Sequence, residues 1–186
     1  MVDSRAASRY VKSLLSLAVE KNALEAVHSD MLMFSRIIAE NRAFELMLRN
    51  PIIKHEKKRD ILEKVFMGRV HPLTMATFDI LTRKNREPLL PAIAKEFHTG
   101  YNIYKGIGKA TVISAVPLDA ELRAEFENMV KKLSAKDKVE LIEKVDKDMI
   151  GGFVLNVGDK QIDASIKNKL KALKVKFSHN PYIKEF

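Results

Sequence analysis

Residues 150–173 read I-G-G-F-V-L-N-V-G-D-K-Q-I-D-A-S-I-K-N-K-L-K-A-L, and the fold can be worked outward from them. After Gly151-Gly152, the side chains of Phe153, Leu155 and Val157 take one face of an extended run, and Val154 and Asn156 take the other. That alternation is a strand buried on at least one side. Gly158-Asp159 supplies hairpin chemistry, because glycine tolerates φ > 0 and aspartate bonds its own backbone. A short second strand over 160–162 follows. Asp163 or Ser165 can then cap a helix whose apolar positions, Ile166, Leu170, Leu173 and Phe177, recur at helical spacing.

The residues just upstream extend this unit. Character changes at Lys105-Gly106-Ile107-Gly108, and residues 110–116 alternate like a strand rich in β-branched side chains that stops at Pro117. Residues 118–133 return to helical period, with Leu122, Phe126, Met129, Val130 and Leu133 on one face. Val139, Leu141, Glu143 and Val145 alternate again. Strand, helix, strand, strand, short strand, helix is the order of a small α/β domain, expected over 106–186 with the two glycines as a hinge.

Before residue 105 the period is helical throughout. A first helix carries Ala7, Tyr10, Val11, Leu14, Leu15 and Ala18, and a turn falls near Glu20-Lys21-Asn22. A second carries Leu24, Val27, Met31, Phe34, Ile37 and Ile38; after Asn41 a short piece bears Phe44, Met47 and Leu48 and stops at Asn50-Pro51. Residues 54–67 turn Ile61, Leu62, Val65 and Phe66 inward, with Gly68 as the C-terminal signal. Pro72 opens a fifth helix with Leu73, Ala76, Ile80 and Leu81, and residues 89–104 form a sixth with Ile93, Ala94, Phe97 and Tyr101. Short links between six helices predict a compact antiparallel bundle over 1–105. The expected fold class is therefore α+β, a six-helix bundle followed by a small α/β domain.

Composition narrows the functional classes. With 46% apolar and 31% charged residues the chain is ordinary globular material, and no apolar run approaches the ~20 residues of a membrane span. Met1-Val2-Asp3-Ser4-Arg5 lacks a signal core, and the absence of cysteine excludes disulfides, so a reduced compartment is expected. The net charge of +9 raises the possibility of nucleic-acid binding. Yet residues 1–105 hold 18 basic and 12 acidic side chains, and 106–186 hold 15 and 12, so no basic arm stands apart. Only 160–176 is lopsided, with six lysines against Asp163. A solvated lysine face accounts for that run.

No catalytic constellation is legible. His28, His55, His71, His98 and His179 never fall at metal-ligand spacing and read as scattered surface positions, and no metal or cofactor is expected. Gly106-x-Gly108 is too short for a dinucleotide loop, and neither a P-loop nor a G-x-S-x-G elbow occurs. The expectation is a non-enzyme that works through surfaces. On the first helix Tyr10 and Leu14 share one strip while Val11, Leu15 and Ala18 form the next; from the pattern alone both could face the core, or one could face a partner.

The stretch G-G-F-V-L-N-V-G-D-K-Q-I-D-A-S-I-K-N-K-L resembles the C-terminal signature of the delta subunits of F-type ATP synthases, whose mitochondrial counterpart is the oligomycin-sensitivity-conferring protein. The likeness extends to A-A-S-R-Y-V-K-S-L-L near the start and A-T-V-I-S-A-V-P-L in the middle. Ala164 departs from the glycine that the family usually has there. The resemblance implies a stator connector that joins the top of the alpha/beta catalytic head to the b subunits of the peripheral stalk during proton-driven ATP synthesis. It implies that the N-terminal domain receives the alpha subunit's N-terminal helix between helices one and five, at positions matching Tyr10, Val11, Leu14, Phe78 and Leu81. It implies that the C-terminal domain meets the stalk. Gly151, Gly152, Asp163 and Ser165 would shape that domain, and Lys167, Lys169 and Lys174 would touch an acidic stalk helix. Starting so close to its first helix, the chain reads as bacterial, held peripherally at the cytoplasmic face of the inner membrane through the complex alone. The rival from composition is a basic RNA-binding module, distinguishable by steep salt dependence.

Overall fold

The computed structural model describes residues 2–134, 136, 138–146 and 148–178. The chain divides into two compact units, Met1–Tyr104 and Lys105–Phe186, each with its own apolar core. Helices and one four-stranded sheet make the class α+β.

The first unit is helical: α1 (Val2–Glu20), α2 (Leu24–Glu40), α3 (Arg42–Arg49), α4 (His55–Phe66), α5 (Pro72–Arg83) and α6 (Leu90–Tyr104), with a 3-10 turn at Glu87–Leu89 leading into α6. Breaks fall where helix chemistry fails. Asn22 takes a left-handed φ of 52° after α1, and Asn41 accepts the Phe44 N–H at 3.2 Å to cap α3. Pro72 fills the first turn of α5, where no N–H is missed.

Three fully buried rings organise the core. The centroids of Phe34 and Phe78 lie 5.0 Å apart, those of Phe34 and Phe66 5.5 Å, and those of Phe66 and Phe78 5.5 Å. Burial of each ring contributes roughly 2–3 kcal/mol. Two buried polar anchors complete the packing. Asp30 on α2 accepts the His71 backbone N–H and the Thr74 hydroxyl, both at 2.7 Å, and so caps α5 from a neighbouring helix. Lys58 on α4 donates to the Leu48 carbonyl at 3.0 Å and faces Glu87 at 3.9 Å, tying down the C-terminal end of α3. Ile61, expected to face inward, is 36% exposed, because Leu62 and Phe66 already occupy the inward arc of α4.

The second unit runs β1 (Gly108–Ser114), α7 (Ala120–Ser134), β2 (Val139–Val145), β3 (Phe153–Val157), β4 (Lys160–Asp163) and α8 (Ile166–Ser178). The strand order is β2-β1-β3-β4. β1 and β2 are parallel, as a helical crossover through α7 permits, and the other pairs are antiparallel. Phe126 and Val130 of α7 pack on Ala110, Val112, Leu155 and Val157, and Phe126 meets Phe153 edge-on at 4.8 Å. Leu122 and Met129 share that helix but lie at the margin, 42% and 37% exposed. The expected end of the last helix at His179-Asn180-Pro181, and any docking of Tyr182, Ile183 and Phe186, lie outside the described residues.

The opening stretch of sequence sets the start of α8. Ala164 N–H donates to the Phe153 carbonyl at 2.9 Å and Ile166 N–H to the Gly151 carbonyl at 3.0 Å, laying the 164–166 turn against the start of β3. Gly152 has φ +81°, and a Cβ there would run into the Ala164 carbonyl oxygen and stand 3.0 Å from Ser165 Cα. Ser165 Oγ accepts the Asn168 N–H at 3.2 Å as the N-cap, and Asp163 accepts the Ser165 N–H at 2.9 Å. Gly152→Ala accordingly costs about 2–4 kcal/mol from the left-handed backbone and the backbone clash together, whereas Gly158→Ala, with nothing within 4 Å, costs only about 1–2 kcal/mol. Urea denaturation of the two variants checks the difference.

Candidate protein-binding site

An open groove of about 140 Å³ runs between α1 and α5, lined by Tyr10, Ser13, Leu14, Leu17, Thr77, Ile80 and Leu81. On α1, positions 10, 14 and 17 fall on one strip at i, i+4 and i+7; on α5, positions 77, 80 and 81 fall on one at i, i+3 and i+4. Leu14 and Leu81 form the floor, 5% and 0% exposed, while Leu17 and Ile80 stand on the walls at 38% and 49%. Both walls are left partly open to solvent. At one end the Arg86 guanidinium donates to the Tyr10 hydroxyl at 3.1 Å and lies 5.8 Å from the ring centroid.

Of the five positions expected in this groove, Tyr10, Leu14 and Leu81 line it. Val11 and Phe78 do not. Val11, with Ala7 and Ala18, is one step round α1 and turns to α6, where a Cβ on Gly100 would come within 3.5 Å of its Cγ1. Phe78 is one step round α5 and closes the cluster with Phe34 and Phe66. A rotation of about 100° per residue separates core from wall, so neighbours in sequence cannot share the role. Leu17, Ile80, Ser13 and Thr77 were missed. Ile80 continues the apolar period of α5, and only the packed partners of α5 show that its inward arc is already full.

In the second unit, the signature residues Gly151, Gly152, Asp163 and Ser165 converge on the first turn of α8, as set out above. No residue of α8 is buried. Ile166, Leu170, Leu173 and Phe177 make an apolar stripe, 42%, 52%, 47% and 85% exposed, bordered by Lys167, Lys169, Lys171, Lys174 and Lys176 with no acidic residue on the helix. The stripe amounts to a second apolar surface that this unit's own sheet does not cover.

The histidines are not all scattered. His28 Nε2 and His98 Nδ1 share a hydrogen bond at 3.0 Å between α2 and α6. The His28 ring stacks on Tyr101 at 3.6 Å, and Tyr101 donates to Glu25 at 2.7 Å. Seventy residues separate the pair, so no local spacing could announce it. Among the described residues, no group of three or more potential ligands is placed to hold a metal, and no helix is long and apolar enough to cross a membrane.

Comparison with known proteins gives these surfaces a context. The family model described as ATP synthase delta (OSCP) subunit matches residues 6–177. The ATP synthase subunit delta of Cytophaga hutchinsonii is 39% identical, over 96% of this chain and 97% of its own length. That of Christiangramia forsetii is 38% identical, over 98% of each. Among solved structures, a chain of the Toxoplasma gondii mitochondrial ATP synthase hexamer superposes with a TM-score of 0.74 at 21% identity, covering 94% of this chain and 98% of that one, which establishes a shared fold. The chain belongs to the ATP synthase delta (OSCP) subunit family. It is a non-catalytic stator connector subunit, and nothing in the family assignment supports the RNA-binding alternative.

One electrostatic detail of the α8 cap can be read in solution. Hydrogen bonds from Ser165, the side chain first and the backbone N–H second, hold the Asp163 carboxyl below the ordinary aspartate range. A carboxylate depressed in the folded state adds stability in full above its unfolded pKa, and that contribution is lost as pH falls through the folded value. NMR titration of Asp163 gives a midpoint below that of an unfolded peptide, and Ser165→Ala moves it upward; coincident midpoints would contradict the cap.

Proposed function

We propose that the two units hold different partners: the helical unit grips the catalytic head, and the sheet-containing unit grips the peripheral stalk. The observation that carries the reading is the uncovered apolar groove between α1 and α5. Its working length from Tyr10 to Leu17 is about 10 Å, two turns of an incoming helix. An amphipathic N-terminal helix of an alpha subunit laid there would cover Leu17 and Ile80, a helix-in-groove contact. On this reading α1 to α6 act as one six-helix bundle. The exposed stripe of α8 offers the b subunits an apolar seam, with Lys167, Lys169 and Lys174 along its border for acidic side chains.

The role asks for grip rather than chemistry. As the central shaft turns, the head experiences a reaction torque, and a tether to the membrane-fixed stalk cancels it. Residence time under load comes from desolvated apolar anchors, since exposed ion pairs contribute little and exchange quickly. The chain would work peripherally, at the cytoplasmic face of the inner membrane, through its partners.

Leu17→Asp and Ile80→Asp leave circular dichroism and Tm close to wild type and weaken binding of a peptide copying the cognate alpha N-terminal helix by about 100-fold. Leu14→Asp instead buries a charge under the groove and lowers stability by about 3 kcal/mol or more. In pull-downs from membranes, Leu170→Asp loses b subunits and keeps alpha. Retained peptide binding by folded Leu17→Asp would refute the groove, and retained b by Leu170→Asp would refute the seam.

A further inference from the structure

The groove is electrically lopsided. The residues that line it are neutral, and the stretches around them, 5–17 and 77–86, hold Arg5, Arg9, Lys12, Arg83, Lys84 and Arg86 against the single acid Asp79. On the opposite flank of α5, Asp79 is already satisfied by Arg59 at 2.8 Å and by Arg83 at 2.9 Å. Arg86 differs. Among the described residues its side chain meets only the neutral Tyr10, by hydroxyl and ring face, and it remains exposed.

Its position is built by the backbone. Asn85 takes a left-handed φ of 53° after α5, and Arg86 N–H returns to the Leu81 carbonyl at 2.9 Å, the 6→1 bond of a Schellman cap. The chain therefore reverses at the end of α5 and carries the guanidinium to Tyr10 across the mouth of the groove. Because the phenol takes one N–H, the planar fork is oriented while its other donors stay available. At the far end, Leu17 and Thr77 are neutral, and among the described residues no hydrogen bond or ring contact ties a guanidinium to either of them.

We infer that Arg86, held by Tyr10, is a specificity residue that takes a carboxylate of the helix bound in the α1/α5 groove and thereby fixes the direction in which that helix lies. The partner is an amphipathic helix with an Asp or Glu one turn beyond its apolar stripe, placed at the Tyr10–Leu81 end. The helix dipole favours the same direction, since its negative C-terminal end then approaches the cation. A charge-assisted, bidentate contact at a partly desolvated rim adds discrimination beyond the apolar anchor, and it acts on encounter rate and salt dependence.

The inference rests on the groove reading, and the test separates the two. Binding of the cognate alpha N-terminal peptide to the full chain is measured at low and high salt, beside a peptide whose acidic side chains are converted to amides. Arg86→Gln weakens the native peptide about tenfold at low salt, and the difference shrinks as salt rises. The amidated peptide loses a similar factor against wild type and loses nothing further against Arg86→Gln. Tyr10→Phe, which frees the guanidinium, gives a smaller loss of the same salt-sensitive kind. Equal binding by wild type and Arg86→Gln, with Leu17→Asp still inactive, overturns the role of Arg86 and leaves the groove standing. Full binding by folded Leu17→Asp overturns both.

Discussion

The rotation of α5 about its own axis is the setting on which the α1/α5 groove depends, and the Phe78 ring fixes it. Wedged between Phe34 and Phe66, that ring cannot turn outward without opening a cavity, which costs about 3–5 kcal/mol for a buried aromatic. With Phe78 inward, Leu81 must form a floor and Ile80 must form a wall. Asp30 fixes the remaining freedom, the position of α5 along its axis, by holding the first turn through His71 and Thr74. Groove and core are thus two faces of one packing decision. The wall residues Leu17 and Ile80 stand clear of the core, whereas the floor residues Leu14 and Leu81 belong to groove and core at once.

The second unit solves a similar problem with backbone rather than rings. Its helix α8 is bound at its first turn, where the Gly151-Gly152 start of β3 and the 164–166 turn touch, and the rest of its length lies open. Ala164 needs no left-handed conformation, because the positive φ in this corner belongs to Gly152. A helix anchored firmly at one end and uncovered along an apolar stripe suits a handle. Its lysines keep it soluble while free and give it a sign that acidic partners can read.

For a stator connector the division between apolar grip and charged rim has mechanical sense. Apolar area sets how slowly a contact comes apart, and charge at the edge sets which partner arrives and which way round it lies. On the proposed reading, Arg86 on Tyr10 and the lysines of α8 stand at edges, and Leu17, Ile80, Leu170 and Leu173 in the seams. No reacting group is required anywhere in such a device.

The residues themselves determined the order of elements, since helical period, alternation, proline and glycine act over a few neighbours: the glycine signature, the hairpin at 158–159, the cap at Ser165 and the class of fold are all local chemistry. The candidate site was legible only in outline. Tyr10, Leu14 and Leu81 could be placed in it through family likeness, but Val11 and Phe78 were placed with them and belong to the core, while Leu17 and Ile80 were passed over. Which apolar strip of a helix is covered depends on neighbours tens of residues away, and a one-residue step turns a side chain through about 100°. The pairing of His28 with His98 and the reach of Arg86 to Tyr10 were invisible for the same reason, because both join positions at least seventy residues apart. Period is written in the chain; facing is decided only when the helices meet.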